Sequence, residues 1–501
     1  MKLFQKDPHF YKKVLMLALP IALQSLIAVG VNMLDTIMLG RVGTDLIPEI
    51  GEDAAKVVSS NSVSAAAYAN NFIGVYHILC MGLGMGASVL VSRYWGMKLK
   101  GDDEPVDGKP GSEGKATRAL KQTICLMLRL TLGLAIIFAT VTALFPEQII
   151  RMYVNADDPQ ITDIVARGVG YLRYSVITYF FLGSSLTVTI VLRSVGQALY
   201  PLFVSIGALF VNLIANYMLI FGRFGAPRME TEGAALGTLI ARVFEAVLIV
   251  TYLLVVDKRI RFRIKHMFLS CGSLLKEYIR ISIPVLVSDG LLAFGNVAFG
   301  IIIGQLGFGA ANSVTQVTQQ MSTVGIQGVC QAGAIVTGQT LGTGDKEKTM
   351  RQGWMFLGLG LALGTVSALF IFGFRELILS GYDITVADKD IANELMDAIS
   401  LIIIFQATNS IMTKGVLRGG GDTKMLMLMD NVFLWAVALP LGALSGFVFH
   451  LAPFWIYICL KSDQIIKTIW CFFRLKSEKW IKKISTGSPA AHETKVAEAA
   501  E

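Results

Sequence analysis

The sequence predicts an all-α integral membrane protein: twelve transmembrane helices in two six-helix lobes, related by a pseudo-two-fold axis along the membrane normal. Three observations predict it. Charged residues make up 16% of the 501 and hydrophobic ones 54%, where an ordinary soluble chain carries about 25% charged residues. Apolar runs long enough to cross a hydrocarbon core of roughly 30 Å, about 20 residues each, recur along the whole length. Three motif blocks occur in the same order in both halves.

The spans read as 13–40, 62–92, 119–145, 162–191, 199–222, 232–256, 277–305, 310–340, 352–375, 391–416, 424–446 and 450–473. Periodicity alone does not separate them from buried soluble helices; their number and length do. Lys461, Asp463 and Lys467 interrupt the twelfth. The 49 glycines fit, because small residues let membrane helices approach closely. The apolar run from Val14 to Leu39 is too long for a cleavable leader, is broken by Pro20 and contains Asp35. The six cysteines form no CxxC pair, so neither a disulfide framework nor a zinc site is expected.

The loops sort by charge. Lys2, Lys6, Lys12, Lys13, the 93–121 loop, Arg193, the 257–280 loop, Lys346–Arg351, Lys414–Lys424 and the C-terminal tail hold most of the 44 Lys and Arg. The alternate loops hold few, among them Arg41, Lys56, Arg223 and Lys389, alongside the acids Asp157, Asp158, Asp383 and Asp388. The positive-inside rule places both termini in the cytoplasm, which an even span count requires. The net charge of +8 is therefore topological, and no nucleic-acid stripe is expected. The resulting organisation is a cytoplasmic N-terminus (1–12), an N-lobe (13–256), a cytoplasmic inter-lobe loop (257–276), a C-lobe (277–473) and a cytoplasmic tail (474–501). The polar end of that tail, after about residue 484, is expected to be disordered. The segment 101–116 is expected to be a flexible loop, and the basic 257–280 stretch to lie on anionic lipid. The chain is expected in a cell inner membrane or plasma membrane.

The repeat rests on residues that chance apolar similarity does not explain. LALPIALQSLIAVGVNMLDTIMLGRVG from Leu17 aligns with ISIPVLVSDGLLAFGNVAFGIIIGQLG from Ile281. One offset pairs Pro20 with Pro284, Asn32 with Asn296, Gly40 with Gly304 and Gly43 with Gly307. GMGASVLVSRYWG ending at Gly96 pairs with CQAGAIVTGQTLG ending at Gly342, and VLRSVG at Val191–Gly196 with VLRGGG at Val416–Gly421. Six spans per half make the halves parallel copies, with a cleft between lobes as the expected substrate path and rocking of the lobes as the expected motion.

These motifs, with VNLIANYMLIFGRFGAPRMETEGAALGTLIAR and RGGGDTK at 418–424, make a pattern. It resembles the multidrug and toxic compound extrusion (MATE) family from about residue 10 to 475. The resemblance implies a cation-coupled antiporter that exports amphipathic, often cationic organic compounds in exchange for Na⁺ or H⁺. It implies no other cofactor and no ATPase subunit, and a monomer is the expected functional unit.

Asp35 is the leading candidate residue. A carboxylate within a span is costly and persists where it faces a cavity or a partner; such a group can take up and release a proton or a sodium ion. Otherwise it is a structural acid near Arg41. Asn212 and Asn216 lie four apart on one helix face, and Thr238 on the sixth span adds a hydroxyl. Neutral oxygens of this kind coordinate Na⁺ or bond a carboxyl; the same groups also serve as helix–helix glue. By resemblance, Asp35, Asn212, Asn216 and Thr238 fall on the N-lobe cation site of one prokaryotic branch, which usually has Asp where this chain has Asn216. Pro20, which removes a backbone hydrogen bond, matches the position where the family's first helix bends. Asp289, five residues beyond Pro284, is a candidate C-lobe coupling acid, although other branches carry a glutamate where this chain has Leu292. Asn32, Tyr68, Asn71, Gln316 and Gln320 are candidate cavity-lining residues, on polar stripes that include Asn70, Asn312 and Gln319. Arg193 and Arg418 end repeat-related helices, where a cation complements the helix dipole and lipid phosphates.

No P-loop and no HExxH occurs, and the five histidines are scattered, so an ATPase or a membrane enzyme is not expected. A channel conflicts with the two-lobe design. The alternative reading is a flippase for lipid or lipid-linked oligosaccharide from the same wider superfamily. It calls for a cluster of the intramembrane bases Arg129, Arg173, Arg242, Lys461 and Lys467 facing the cleft.

Overall fold

The computed structural model describes residues 7–482, apart from 102, 106–112, 155–158 and 381–385. Lys2, Lys6, Asp157, Asp158, Asp383, the centre of the 101–116 loop and the tail expected to be disordered lie outside the described residues. The chain is helical almost throughout: α1 (Pro8–Leu39), α2 (Glu52–Lys100), α3 (Lys115–Leu144), α4 (Ile161–Ser194), α5 (Leu199–Phe221) and α6 (Glu230–Val256) form the N-lobe. The C-lobe comprises α7 (Gly272–Gln305), α8 (Gly309–Gly342), α9 (Lys346–Ser380), α10 (Val386–Leu417), α11 (Thr423–Val448) and α12, which is built in two pieces, Pro453–Leu460 and Ser462–Lys476.

Ten of these helices are long and apolar enough to cross a membrane. The two others fall short for visible reasons. In α8 the Asn, Gln and Thr residues dilute an otherwise apolar helix, and α12 breaks at Lys461. Several helices run past the hydrocarbon. The 49 residues of α2 extend about 74 Å at 1.5 Å per residue, well beyond the span read at 62–92.

The third repeat block explains how α4 and α10 stop. Gly196 and Gly421 both adopt φ of 86°, a conformation that glycine takes without penalty. In each case the next N–H reaches back five residues, from Gln197 to Leu192 at 2.8 Å and from Asp422 to Leu417 at 3.2 Å, closing the helix end.

The lobes meet through repeat-related contacts, all near the end of the molecule that carries residues 7 and 482. Ala18 and Ala22 of α1 rest on Gly328 of α8, where a Cβ would lie 2.9 Å from the Ala22 Cβ. Their counterparts Ser282 and Leu286 of α7 rest on Gly86 and Gly82 of α2; a Cβ at Gly82 would lie 3.0 Å from the Leu286 Cα. Pro20 and Pro284 therefore sit within the two crossings, each inside an unbroken helix. On the pseudo-axis itself Gly96 backs onto Gly342, where a Cβ would lie 2.9 Å from the opposite Cα. Three residues before these glycines stand Arg93 and Gln339. Each donates across to the other lobe, Arg93 to the Gly420 carbonyl at 3.1 Å and Gln339 to the Ser194 carbonyl at 2.9 Å. Small residues thus let backbones touch and direct hydrogen bonds form. In the other half, Phe294, Val297 and Ile301 of α7 and Val317 and Met321 of α8 are left exposed.

Candidate functional site

Asp35 stands in the last turns of α1, away from the lobe contact, and faces the N-lobe interior. Asn216 Nδ2 donates to its Oδ1 at 2.6 Å. The same amide lies 3.4 Å from Asn212 Oδ1, and Asn212 Nδ2 lies 3.5 Å from Thr238 Oγ1. The structure therefore brings together the four residues on one chain of polar contacts. The local sequence explains the fit. Asn212 and Asn216 share a face of α5, and Gly237 of α6 has no side chain to hold the helices apart; a Cβ there would lie 3.1 Å from the Asn216 Cγ. Both asparagines are buried, and Asn216 Oδ1 has no hydrogen-bond partner. Buried polar atoms are nearly always paired; this oxygen, packed against Gly237, is an exception on the same amide whose nitrogen meets Asp35.

A cavity of about 460 Å³ opens over the site, lined by Asn32, Asp35, Asn70, Asn71, Tyr171 and Arg242 among others. It runs to Leu39 and Val63, at the end of the lobe opposite the chain ends. A second cavity of about 310 Å³ continues toward the lobe contact, sharing His77, Thr238 and Arg242 with the first and reaching Arg193 and Gln331. Volumes of this order hold drug-sized molecules. Two ion-bearing groups sit in the walls. Arg242 holds Glu245 at 2.7 Å, and Arg193 donates to Gln24 of its own lobe and to Gln331 of the other at 2.9 Å.

Comparison with known proteins fits this geometry. The MatE family model matches residues 114–218 and 284–444, which is more than half of the chain. The chain belongs to the MatE family. MatE proteins are membrane transporters, and this one is a multi-pass membrane protein. Among its relatives is the probable multidrug resistance protein NorM of Thermotoga maritima, 25% identical over 490 residues, covering 96% of this chain and 95% of that one. The fold matches a solved MOP superfamily transporter from Pyrococcus furiosus Vc1, for which reverse polarity of the binding pocket suggests a different function. The TM-score is 0.77 at 16% identity, covering 95% and 98% of the two chains. It also matches a multidrug resistance MATE family transporter in an outward-facing conformation, with a TM-score of 0.75 at 15% identity, covering 93% and 96%.

In this MatE chain the other candidate residues divide. Asn32 and Asn71 line the N-lobe cavity. Tyr68 does not: it is half-buried and stacks on Tyr153, with ring centroids 5.8 Å apart, because its side of α2 packs against the loop following the short helix Pro146–Arg151. Gln316 and Gln320 are exposed on α8, in the half away from the lobe contact, and line neither N-lobe cavity.

Asp289 departs most from expectation. Its carboxylate is gripped by Arg418, at 3.1 and 3.3 Å, with Lys414 at 3.9 Å. Arg418 is accordingly not a helix-end cation facing lipid phosphate. It is buried, and Arg193 is half-buried in its own network. Both arginines turn inward because the inverted turn at the following glycine buries the helix end. Removing one partner of a buried pair leaves an orphan charge that costs about 3–5 kcal/mol. Asp289→Ala should therefore lower the unfolding midpoint of the purified protein sharply, and adding Arg418→Met should recover most of the loss. An additive double variant would show that the pair carries no stability.

Three further charged residues form a cluster that the sequence reading did not assemble. Asp430 of α11, Asp463 and Lys467 of α12 are all buried and in contact. The sequence signal for them was the i, i+4 spacing of Asp463 and Lys467, which looked like a break in a span.

Proposed function

We propose that this protein is a secondary active multidrug efflux antiporter. It exports amphipathic, often cationic organic compounds in exchange for Na⁺ or H⁺, by rocking its two lobes about the contacts at Gly96 and Gly342. Both termini are taken to face the cytoplasm, so the described conformer is closed on the cytoplasmic side, and the Asp35 cavity opens outward. The observation that carries the reading is a half-buried carboxylate that lines a cavity large enough for cargo and accepts from the buried amide of Asn216 behind it. Asp35, Asn212, Asn216 and Thr238 would hold the coupling ion. Cation binding and substrate binding compete for one negative charge, and that competition couples their movements. The name of the Thermotoga relative supports multidrug efflux as the class of cargo.

The flippase alternative needs unpaired bases toward the cleft. Arg129 is instead committed to the Met267 carbonyl, at 2.6 and 3.1 Å, Arg242 to Glu245, and Lys467 to two carboxylates. The efflux reading is therefore preferred. It is tested in vesicles holding the purified protein, with Na⁺ and pH gradients imposed separately and a cationic dye as reporter. One of the two gradients should drive dye movement against its own gradient. Dye movement that neither gradient accelerates would overturn the reading.

A further inference from the structure

Asp35 and the C-lobe acids Asp289, Asp430 and Asp463 are partnered differently. Asp35 takes its hydrogen bond from a neutral amide. The C-lobe acids meet cations supplied by the chain. Lys467 Nζ lies 2.9 Å from Asp463 Oδ2 and 3.5 Å from Asp430 Oδ1, and these three side chains are 2%, 1% and 6% exposed. The surroundings are those of an ion site. Asp430 Oδ2 accepts from Ser288 Oγ at 3.2 Å, and Asp463 Oδ2 accepts from Gln464 Nε2 at 2.7 Å. Gln464 is held in turn by Asn409 Nδ2 at 2.8 Å. Asp463 Oδ1 is buried with no partner. Three helices contribute: α7 through Ser288, α11 through Asp430 and α12 through Asp463 and Lys467. The neighbouring acid Asp289 is held by Arg418 and Lys414, and Lys461 lies 4.2 Å over the Phe299 ring.

Two carboxylates from different helices converge on one positive group, and a hydroxyl holds one of the carboxylates in place; such a donor set suits a small monovalent cation. Here the positive group is covalently attached. A lysine ammonium is a compact charge with three donors on a flexible stem, and burial of such a charge is tolerated only when it is paired.

We propose that the Lys467 ammonium is a built-in monovalent cation that permanently fills a carboxylate-lined site formed by Asp430, Asp463 and Ser288, leaving cation exchange to the N-lobe alone. The inference rests on the reading of Asp35 as the coupling acid only for its last clause; the filled site stands on its own geometry. In consequence the Asp430–Asp463 site takes up no exchangeable ion, and one coupling ion is exchanged per cycle.

The test is thermal unfolding of the purified full-length protein in Asp35→Asn background, which removes the N-lobe contribution and makes the result independent of whether that reading holds. Sodium and ammonium chlorides are the probes, with choline chloride holding ionic strength constant. The parent should unfold at the same temperature in all three salts. Lys467→Met should unfold earlier in choline and recover by on the order of a few degrees in sodium or ammonium, because a ligand that binds only the folded state raises its midpoint. The variant Lys467→Met, Asp430→Asn, Asp463→Asn, which has neither the cation nor the acids, should fold and be indifferent to the salt. Should Lys467→Met fail to fold at all while this neutral variant folds, the proposal is equally supported, since the defect is then the orphaned acids. It is overturned if the parent is stabilised by sodium or ammonium over choline, if folded Lys467→Met is indifferent to both, or if the neutral variant also fails to fold.

Discussion

Asp35→Asn will reduce gradient-driven dye efflux to the level of vesicles lacking the protein, while leaving the amount of folded protein in the membrane unchanged. The two halves of this expectation have separate causes. The amide has the volume of the carboxylate and can still pair with Asn216, which now donates at 2.6 Å, so packing around α1 and α5 is retained. A neutral group within a span is also less costly than an acid. What the amide lacks is any way to hold a proton, or to balance a bound sodium ion among oxygens that are otherwise neutral. Without a ligand that discriminates between the two lobe arrangements, a gradient has no purchase on their equilibrium. The check is the vesicle assay with both gradients, alongside the quantity and unfolding temperature of the variant. Downhill dye equilibration is expected to persist at a reduced rate, because the cavity itself remains.

Gly96→Val will shift the protein away from the conformer closed at the end bearing the chain termini. A Cβ at this position would lie 2.9 Å from the Gly342 Cα, and the branched methyls come closer still. The cross-lobe bonds from Arg93 and Gln339 flank the same point and lengthen with it. Overpacking of this sort costs about 1–3 kcal/mol, and since about 1.4 kcal/mol is tenfold in an equilibrium constant, the conformer should lose roughly five- to a hundredfold in population. Spin labels at the exposed ends of the two lobes, on Leu99 and Lys346, should report a longer distance in the variant than in the parent. Gly133→Val, on α3 where a Cβ meets nothing within 4 Å, is the control and should leave that distance unchanged. Equal distances in the two variants would remove Gly96 from the lobe contact.

Much of the architecture was legible because it depends on residues that few positions tolerate. The paired prolines and glycines identified the repeat. In the structure they prove to be the points where helices cross and stop: Pro20 and Pro284 lie within matching crossings, and Gly196 and Gly421 close matching helix ends. Asp35, Asn212, Asn216 and Thr238 stood out because polar residues are conspicuous in apolar spans, and the family resemblance grouped them on one site. Pairing across helices was not legible. Nothing in the local sequence connects Asp289 with Arg418, or Asp430 with Lys467, since each pair is brought together by tertiary packing. Reading Arg418 as a surface cation followed from its place near a helix end; the tight turn at Gly421 buries that end. Likewise Tyr68 sits on a polar stripe of α2, yet its ring finds Tyr153 rather than the cavity.

The claim that one N-lobe carboxylate trades a small cation for cargo is tested most directly by cation release on substrate binding. A cationic substrate is added to the purified protein in weak buffer, and released protons are read with an indicator dye, or released ²²Na with a preloaded sample. The account predicts release of about one cation per bound substrate, and none from Asp35→Asn. Saturable substrate binding with no release of either ion from the unmodified protein, or equal release from both proteins, would contradict it.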